Sequence, residues 1–213
     1  MSRLNVDKIT GATGTASGAP ITLSGDTATL GTSVIVPGGT MLSSTTVSGT
    51  STQYISFTSL GNHSAFNDLK FVFSQVVPIT DNVEFVGEVA ISGTSYLTSN
   101  YQCVGQRTAY NGGSPDTSLI GTNSRIIRLQ NVGNDGLMSG EFNLYSHNNS
   151  THKKIATWTT GHRENNDEIV NVTGSSCYDA SDGTDPLTAI RFFFSSGNFA
   201  SGSTITMYGI KIS

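Results

Sequence analysis

The sequence predicts an all-β protein, in which an extended N-terminal β segment (residues 1–50) precedes a jelly-roll-like β-sandwich (residues 51–213). Apolar and polar residues alternate with a period of two in one segment after another, which is the pattern of half-buried strands. Clusters of Gly, Asn, Asp, Ser and Pro separate these segments at regular intervals. No segment repeats apolar residues at helical spacing for three turns, so helices are not expected.

The N-terminal segment, residues 1–50, contains no Phe, Tyr or Trp. Its short apolar groups, such as Val34-Ile35-Val36, are separated by tracts of Gly, Ser and Thr. One copy of such a segment buries too little apolar surface to offset the entropy lost on ordering. It is therefore either a flexible linker or extended β-structure that orders when several copies, or a partner, cover its apolar groups. The recurrence of Val, Leu and Ile between turn residues favours the second.

The alternation becomes regular from Thr52 onward. Leu69, Phe71 and Phe73 fall on one face of a strand, and the residues between them fall on the other. About nine strands are predicted in this way, and turns rich in Gly and Asn separate them. They span residues 54–60, 69–74, 83–91, 96–108, 125–132, 137–147, 152–160, 187–195 and 203–212.

The run Arg191-Phe192-Phe193-Phe194 lacks polar alternation. A strand that is covered on both faces, for example by its own sheet and by a neighbouring subunit, has this pattern. A central strand with one ring in a small cluster beneath a loop has it too. The sequence leaves both arrangements open.

Charged residues make up only 12% of the chain, so Ser, Thr, Asn and Gly must cover most of its surface. Such neutral surfaces are typical of rigid extracellular or virion proteins.

The net charge is -4 and the 11 basic residues form no cluster, which argues against nucleic-acid binding. No run of about 18 apolar residues predicts membrane insertion. The opening MSRLNVDKITGATG lacks the apolar stretch of a secretory signal.

The two cysteines, Cys103 and Cys177, are expected to be free, buried thiols, because a protein without a secretory route stays in a reducing compartment. There is no CxxC pair, and the four histidines have no spacing typical of a metal site or a catalytic triad. No Gly-x-Ser-x-Gly elbow is present. The sequence therefore predicts no enzyme, no metal and no cofactor.

Two polar segments are candidates for a reactive or metal-binding site. Thr160–Glu168 supplies His, Arg and several carboxylates, but in a Gly- and Asn-rich loop these would be solvated, which favours a salt-bridge cluster or a polar contact surface. Asp179–Asp185 spaces three carboxylates around a Gly, as calcium loops do. It lacks the alternating ligands and the distal Glu of an EF-hand, and Asp and Ser that stabilise a turn explain its composition equally well.

Sugar binding is a further hypothesis for the predicted loops. Carbohydrates are recognised by aromatic rings that stack on sugar faces, together with hydrogen bonds from polar side chains. The candidate contacts with a host glycan are Tyr110, Asn111, His147, Asn148, Asn149 and Tyr178.

Four stretches of the chain resemble a known family. They are the opening MSRLNVDKITGATGTASG, YISFTSL at 54–60, DLKFV at 68–72 and SGNFASGSTITMYGIK at 196–211. They are similar to small structural and appendage proteins of tailed phages of marine bacteria, cyanophages especially. The resemblance implies a virion location, a jelly-roll-like head and homotrimers, with no catalytic site. The charged cluster at residues 160–167 departs from the more neutral loop that the family would have there.

These observations lead us to expect a non-enzymatic structural subunit of a phage virion, assembled in the host cytoplasm. A tail fibre or tail-associated appendage would dock to other virion proteins through residues 1–50 and expose its β-domain to the host surface. The alternative is a capsid decoration or head-fibre protein that stabilises the shell. A third hypothesis, a carbohydrate-active enzyme on a β-sandwich, would need a buried pair of carboxylates.

Overall fold

The computed structural model describes residues 8–9, 21–24, 27–30, 39–110 and 124–211. Within these ranges the chain is all-β, as predicted, and its one helical element is a short 3-10 turn at Leu60–His63. The strands are β1 (Lys8–Ile9), β2 (Ile21–Ser24), β3 (Thr27–Leu30), β4 (Thr40–Thr46), β5 (Tyr54–Thr58), β6 (Asp68–Val76), β7 (Val83–Ala90), β8 (Tyr101–Ala109), β9 (Ile127–Val132), β10 (Met138–Tyr145), β11 (Ile155–Arg163), β12 (Ile169–Tyr178), β13 (Ala189–Phe194) and β14 (Thr204–Ile210).

The chain divides into two units, Met1–Thr40 and Met41–Ser213. In the first unit β1 pairs with β2, and β2 pairs with β3, both antiparallel. The rest of this unit before residue 39 lies outside the described residues. The prediction that residues 1–50 dock the protein and hold its copies together therefore stays a prediction.

The second unit is a sandwich of two antiparallel sheets. One sheet has seven strands in the order β4-β14-β6-β10-β11-β12-β8, and the other has four in the order β5-β13-β7-β9. The first strand pairs with the last, β4 with β14, and the next pairs inward are β5 with β13, β6 with β10 and β7 with β9. These pairs alternate between the two sheets, which is the strand order of a jelly roll. The predicted jelly-roll-like sandwich is confirmed.

Three strands are additions to the eight of the jelly roll. The hairpin β11–β12 extends the larger sheet beyond β10, and β8 pairs with β12 at its outer edge. The hairpin and β8 both lie beyond β10, at the same edge of the larger sheet. The larger sheet is therefore widened from four strands to seven, while the smaller sheet keeps four.

The core between the sheets is a cluster of phenylalanine rings centred on Phe192. This residue lies on β13, in the middle of the smaller sheet, and its side chain is fully buried. Its ring centroid lies 5.4 Å from that of Phe71, 5.3 Å from Phe73, 5.9 Å from Phe85 and 5.7 Å from Phe142. Contacts at these distances between offset and edge-on rings add to the hydrophobic stabilisation of the core.

The aromatic run at 191–194 is a central strand with one ring in a small outer cluster. Phe192 and Phe194 face the core, whereas Phe193 faces outward and is 8% exposed. Phe193 packs against Tyr54 of the neighbouring β5, with 5.3 Å between ring centroids. In the single chain β13 is therefore a central strand of its sheet, and cover of its outer face by a neighbouring subunit stays a prediction.

The structure places the boundary between the units about ten residues before the predicted position near residue 50. The reason is β4, which pairs with β14 and so belongs to the sandwich. Beyond the end of β4, Val47 is buried, and its backbone bonds to Ser203 and Gly202 at 2.9 and 2.8 Å. β4 carries mainly Ser and Thr, so the sequence did not distinguish it from the preceding tract.

Deleting residues 1–39 should leave the melting temperature of the domain nearly unchanged, whereas deleting residues 1–50 should lower it by roughly 4–8 °C. The longer deletion removes β4 together with the burial of Val47, which is worth about 2 kcal/mol. It also removes the backbone hydrogen bonds of Val47. Thermal unfolding of both truncated chains, followed by circular dichroism, measures the difference. Equal melting temperatures would show that β4 is dispensable.

Candidate functional site

The residues predicted to contact a glycan do not form one site. β8 and β12 run antiparallel, with Tyr101 opposite Tyr178 and Ala109 opposite Val170. Tyr110 follows β8 and therefore lies at the opposite end of the sheet from Tyr178. Tyr110 is 87% exposed, as the prediction required. Asn111, its predicted companion, lies outside the described residues.

Two of the predicted contacts, His147 and Tyr178, are buried, and the structure corrects them to packing residues. His147 is fully buried, with Nδ1 3.3 Å from the carbonyl oxygen of Asn67. Tyr178 packs against Tyr101 at 5.3 Å between ring centroids, and its hydroxyl donates to Asp182 at 3.0 Å. Because these side chains hold loops in place, neither can stack on a ligand.

The remaining predicted contacts, Asn148 and Asn149, form hydrogen bonds with backbone groups in and around the turn after β10. Asn148 donates from its amide to the carbonyl oxygen of Ser64 at 3.0 Å. Asn149 Oδ1 accepts hydrogen bonds from the backbone N–H groups of Thr151 and His152 at 2.7 and 2.9 Å. Side chains that satisfy backbone groups in this way stabilise a turn. The sequence alone does not show whether an asparagine in a loop stabilises the turn or contacts a sugar.

A buried lysine, Lys154, joins this turn to the aspartate-rich loop at 179–185. Its Nζ donates to the carbonyl oxygens of Asn149, His152 and Thr184 at 2.5, 3.0 and 2.8 Å. Burial lowers the pKa of the Lys154 ammonium. A single side chain with three donors thus satisfies three carbonyls from two loops.

The aspartates of residues 179–185 have different partners. Asp179 forms an ion pair with Lys153 and accepts a hydrogen bond from Gln102 at 2.5 Å, and Asp182 accepts from Tyr178. Over the part of the chain that the structure describes, no group of three or more His, Cys, Asp and Glu side chains is placed to hold a metal ion.

The charged segment at 160–168 forms a salt-bridge cluster, the arrangement that the sequence favoured. Arg107 of β8 donates from Nε and Nη2 to the two carboxylate oxygens of Glu164, at 2.7 and 2.6 Å. The same Nη2 lies 3.1 Å from Glu168. Glu164 is only 2% exposed, which corrects for this residue the expectation that the carboxylates are solvated, whereas Asp167 is 73% exposed, as expected. The reason is that β11 continues to Arg163, so that a tight turn on the sheet replaces the predicted loop.

Both cysteines are free thiols, as predicted, but only Cys103 is buried, so the predicted burial of Cys177 is wrong. Cys103 lies on the inner face of β8, and burial raises its pKa to about 11. Cys177 is half-buried on the outer face of β12, where burial raises its pKa as well. Since the side chains lie on opposite faces of one sheet, they cannot approach to form a disulfide.

The stability of the fold should fall as the pH drops from about 7.5 to about 5.5. Burial lowers the pKa of His147 and of His162, although the neighbouring backbone carbonyls partly oppose this. The unfolded histidines have a pKa near 6.5 and bind protons first, so stability rises with pH across this window and is lost below it. Melting temperatures across the window test this, with exposed His152→Gln as the control. A constant melting temperature would contradict it.

A groove that the sequence did not predict lies between the edge strands β4 and β5. Its volume is about 340 Å³, and hydroxyl and amide side chains line it together with Leu42, Phe57, His63 and Met207. The hydroxyl and amide side chains include Ser43 of β4, Ser56 and Thr58 of β5, and Ser59 and Asn62 of the following turn. From Thr27 to Asn67 the chain has no Asp, Glu, Lys or Arg, so β4, β5 and the turn after β5 contribute no Asp, Glu, Lys or Arg side chain to this groove.

Comparison of the chain with protein-family models, with curated proteins and with solved structures finds no match. None of the described residues belongs to a helix that is long and apolar enough to cross a membrane.

Proposed function

We propose that this protein is a structural, non-enzymatic subunit of a virus particle, specifically a tail fibre or tail-associated appendage of a phage. The observation that carries the proposal is the jelly-roll strand order of the sandwich, since this architecture is common in viral capsid and lectin domains. A fold alone does not determine a function. Two properties of the surface give the proposal further support.

The first property is the wide outer face of the seven-stranded sheet, which is rich in hydroxyl groups and on which Lys70 and Glu141 form an ion pair. Thr206, Val72, Glu141, Thr159 and Thr173 follow one another in one row across this face. Ser44 extends the row at β4 through a 2.8 Å hydrogen bond to Thr206. Hydroxyl-rich strands of this kind suit a rigid particle surface that stays soluble with few charges.

The second property is the pairing of buried carboxylates with arginines. Glu164 is bound by Arg107, and Glu88 is bound by Arg125 and Arg191. A general acid needs a carboxyl group whose proton is shared with a substrate. Glutamates held by guanidinium groups are already neutralised by their partners, which favours a structural role over the third hypothesis, hydrolysis of a saccharide.

Attachment to the particle is proposed to use the edge strand β4 together with the rest of residues 1–50. Edge strands usually carry charged residues, prolines or bulges that prevent pairing with other chains. β4 has no charged residue and no proline. An extended strand from a second copy, within a homotrimer, or from another virion protein would add to this edge through backbone hydrogen bonds.

Quantitative mass spectrometry of gradient-purified particles tests the proposal. We expect the chain at a fixed copy number per particle, and at a number that scales with the tail. A number that scales with the capsid lattice would instead support the alternative, a decoration or head-fibre protein. A chain that is absent from particles and stays in the soluble lysate would refute both.

A further inference from the structure

The outer face of the four-stranded sheet carries a charged cluster centred on Glu88. Glu88 of β7 lies directly opposite Arg191 of β13, and its side chain is only 2% exposed. Arg191 places Nε 2.7 Å and Nη2 2.5 Å from Glu88 Oε2, and Arg125 places Nη1 2.8 Å from Oε1. Two guanidinium groups share one carboxylate, so the described residues of the cluster hold one net positive charge.

Aromatic rings surround the Arg191 guanidinium. Its Cζ lies 4.6 Å from the ring centroid of Tyr54, 4.1 Å from that of Tyr96 and 5.3 Å from that of Phe193. Arg125 lies over Phe193 at 5.4 Å. Stacking on rings and pairing with Glu88 fix the plane of the Arg191 guanidinium, so little conformational entropy remains to be lost on binding.

The cluster is open to solvent along β5. The side chains of Arg191 and Arg125 are 24% and 26% exposed, and Tyr54 is 40% exposed. Ser56, the cross-strand neighbour of Arg191 on β5, is also exposed. The third nitrogen of Arg191, Nη1, has no hydrogen-bond or ion-pair partner among the described residues.

The charge of this cluster distinguishes it from the other arginine sites of the described chain. Arg107 contacts two carboxylates, Glu164 and Glu168, and Arg163 contacts two, Asp135 and Asp167. Arg128 forms an ion pair with Glu84. Among the ion pairs of the residues that the structure describes, only at Glu88 do guanidinium groups outnumber the carboxylates that they contact, although the whole chain carries a net charge of -4. A ligand with one negative charge would complete the balance there.

We propose that this Arg191 cluster, made of Tyr54, Glu88, Tyr96, Arg125, Arg191 and Phe193, binds an acidic saccharide. The sugar ring stacks on the exposed face of Tyr54, and its carboxylate or sulfate accepts hydrogen bonds from Arg191 and Arg125. Glu88 is a positioning residue that sets the direction of both guanidinium groups. A buried ion pair contributes little net stability. Stability alone therefore does not explain the buried pairing of Glu88 with Arg191 and Arg125, whereas a role in binding does.

This inference deepens the proposed function by naming the class of host-surface glycan, and it is tested without particles. Isothermal titration of the full chain uses an oligogalacturonate, a sulfated chondroitin oligosaccharide and neutral maltohexaose. We expect one or both acidic saccharides to bind, with an affinity that falls as salt rises, and maltohexaose not to bind. The two acidic probes distinguish a carboxylate from a sulfate. No binding of either, or equal binding of all three, would overturn the inference.

Variants locate the binding on this face. Tyr54→Leu should weaken the affinity for the acidic saccharide about tenfold while leaving the fold intact. Since Arg191 alone cannot be removed without leaving Glu88 unpaired, the paired variant Glu88→Gln with Arg191→Met keeps the packing and should abolish binding. Tyr145→Leu, on the opposite sheet, is the matched control and should bind as the unaltered chain does. An unchanged affinity in Tyr54→Leu would overturn the inference.

The two proposals can fail separately. A chain that is found in particles but binds no acidic saccharide contradicts only the Arg191 site. A chain that binds the saccharide but is absent from particles contradicts only the virion role.

Discussion

Replacing Phe192 by Ala should lower the free energy of unfolding by about 3–5 kcal/mol. Phe192 is fully buried between the sheets, and its ring contacts four other phenylalanine rings. Removing it leaves a cavity whose walls come from strands of both sheets, so the surrounding structure cannot close the gap without moving whole strands. Urea denaturation of the full chain, followed by circular dichroism, measures the loss.

The matched control for this variant is Tyr110→Ala, which removes an aromatic ring that is 87% exposed. It should change the free energy of unfolding by no more than about 0.5 kcal/mol. A loss below about 1 kcal/mol for Phe192→Ala would show that the aromatic cluster is not the centre of the core.

Replacing Arg107 by Ala should lower the free energy of unfolding by about 3 kcal/mol. The variant leaves Glu164 buried without its bidentate partner, and an unpaired buried carboxylate is costly. The companion variant Arg107→Met with Glu164→Gln removes both charges and should recover most of this loss. The same urea titration compares the variants.

Arg163→Ala is the matched control for the charged cluster. Arg163 bridges Asp135 and Asp167, whose side chains are 47% and 73% exposed. Solvent screens such pairs, so the loss should stay below about 1 kcal/mol. If Arg107→Ala and Arg163→Ala cost the same, then the burial of Glu164 does not control the energetics of this cluster.

Period-two alternation predicted most of the sandwich because the core faces of its strands carry large apolar residues. On β6, Leu69, Phe71 and Phe73 are all buried, as the alternation required. The jelly-roll order depends on pairs such as β4 with β14, which are far apart in sequence. The number of strands and the regular turns indicated this architecture, but the individual pairs could not be derived from them.

The strand β12 was missed because its inner face lacks a regular apolar pattern. Val170 and Val172 point into the core, but the next inward position is Gly174. The indole of Trp158 on the neighbouring β11 occupies the space where a side chain at position 174 would stand. Position 174 is therefore a glycine because of a contact with the neighbouring strand. A pattern of nearby residues in the sequence does not reveal such a contact.

The candidate binding residues were hard to predict for a similar reason. Loop composition suggested Tyr178 and His147, but exposure depends on what packs against a side chain, and both proved to be buried. The Arg191 cluster combines residues from three strands and two loops, and Glu88 and Arg191 are separated by 103 positions in the chain. Such a cluster exists only after the strands have paired.

The most direct test of the virion role is an electron cryo-microscopy map of the purified particle. Its resolution must be sufficient to separate the two sheets of the sandwich. We predict density for the seven-stranded and four-stranded sheets on the tail, with residues 1–39 directed toward the particle and the face that bears Tyr54 and Arg191 directed toward solvent. A map with no density for the sandwich, or with that face packed against another virion protein, would contradict the proposed role.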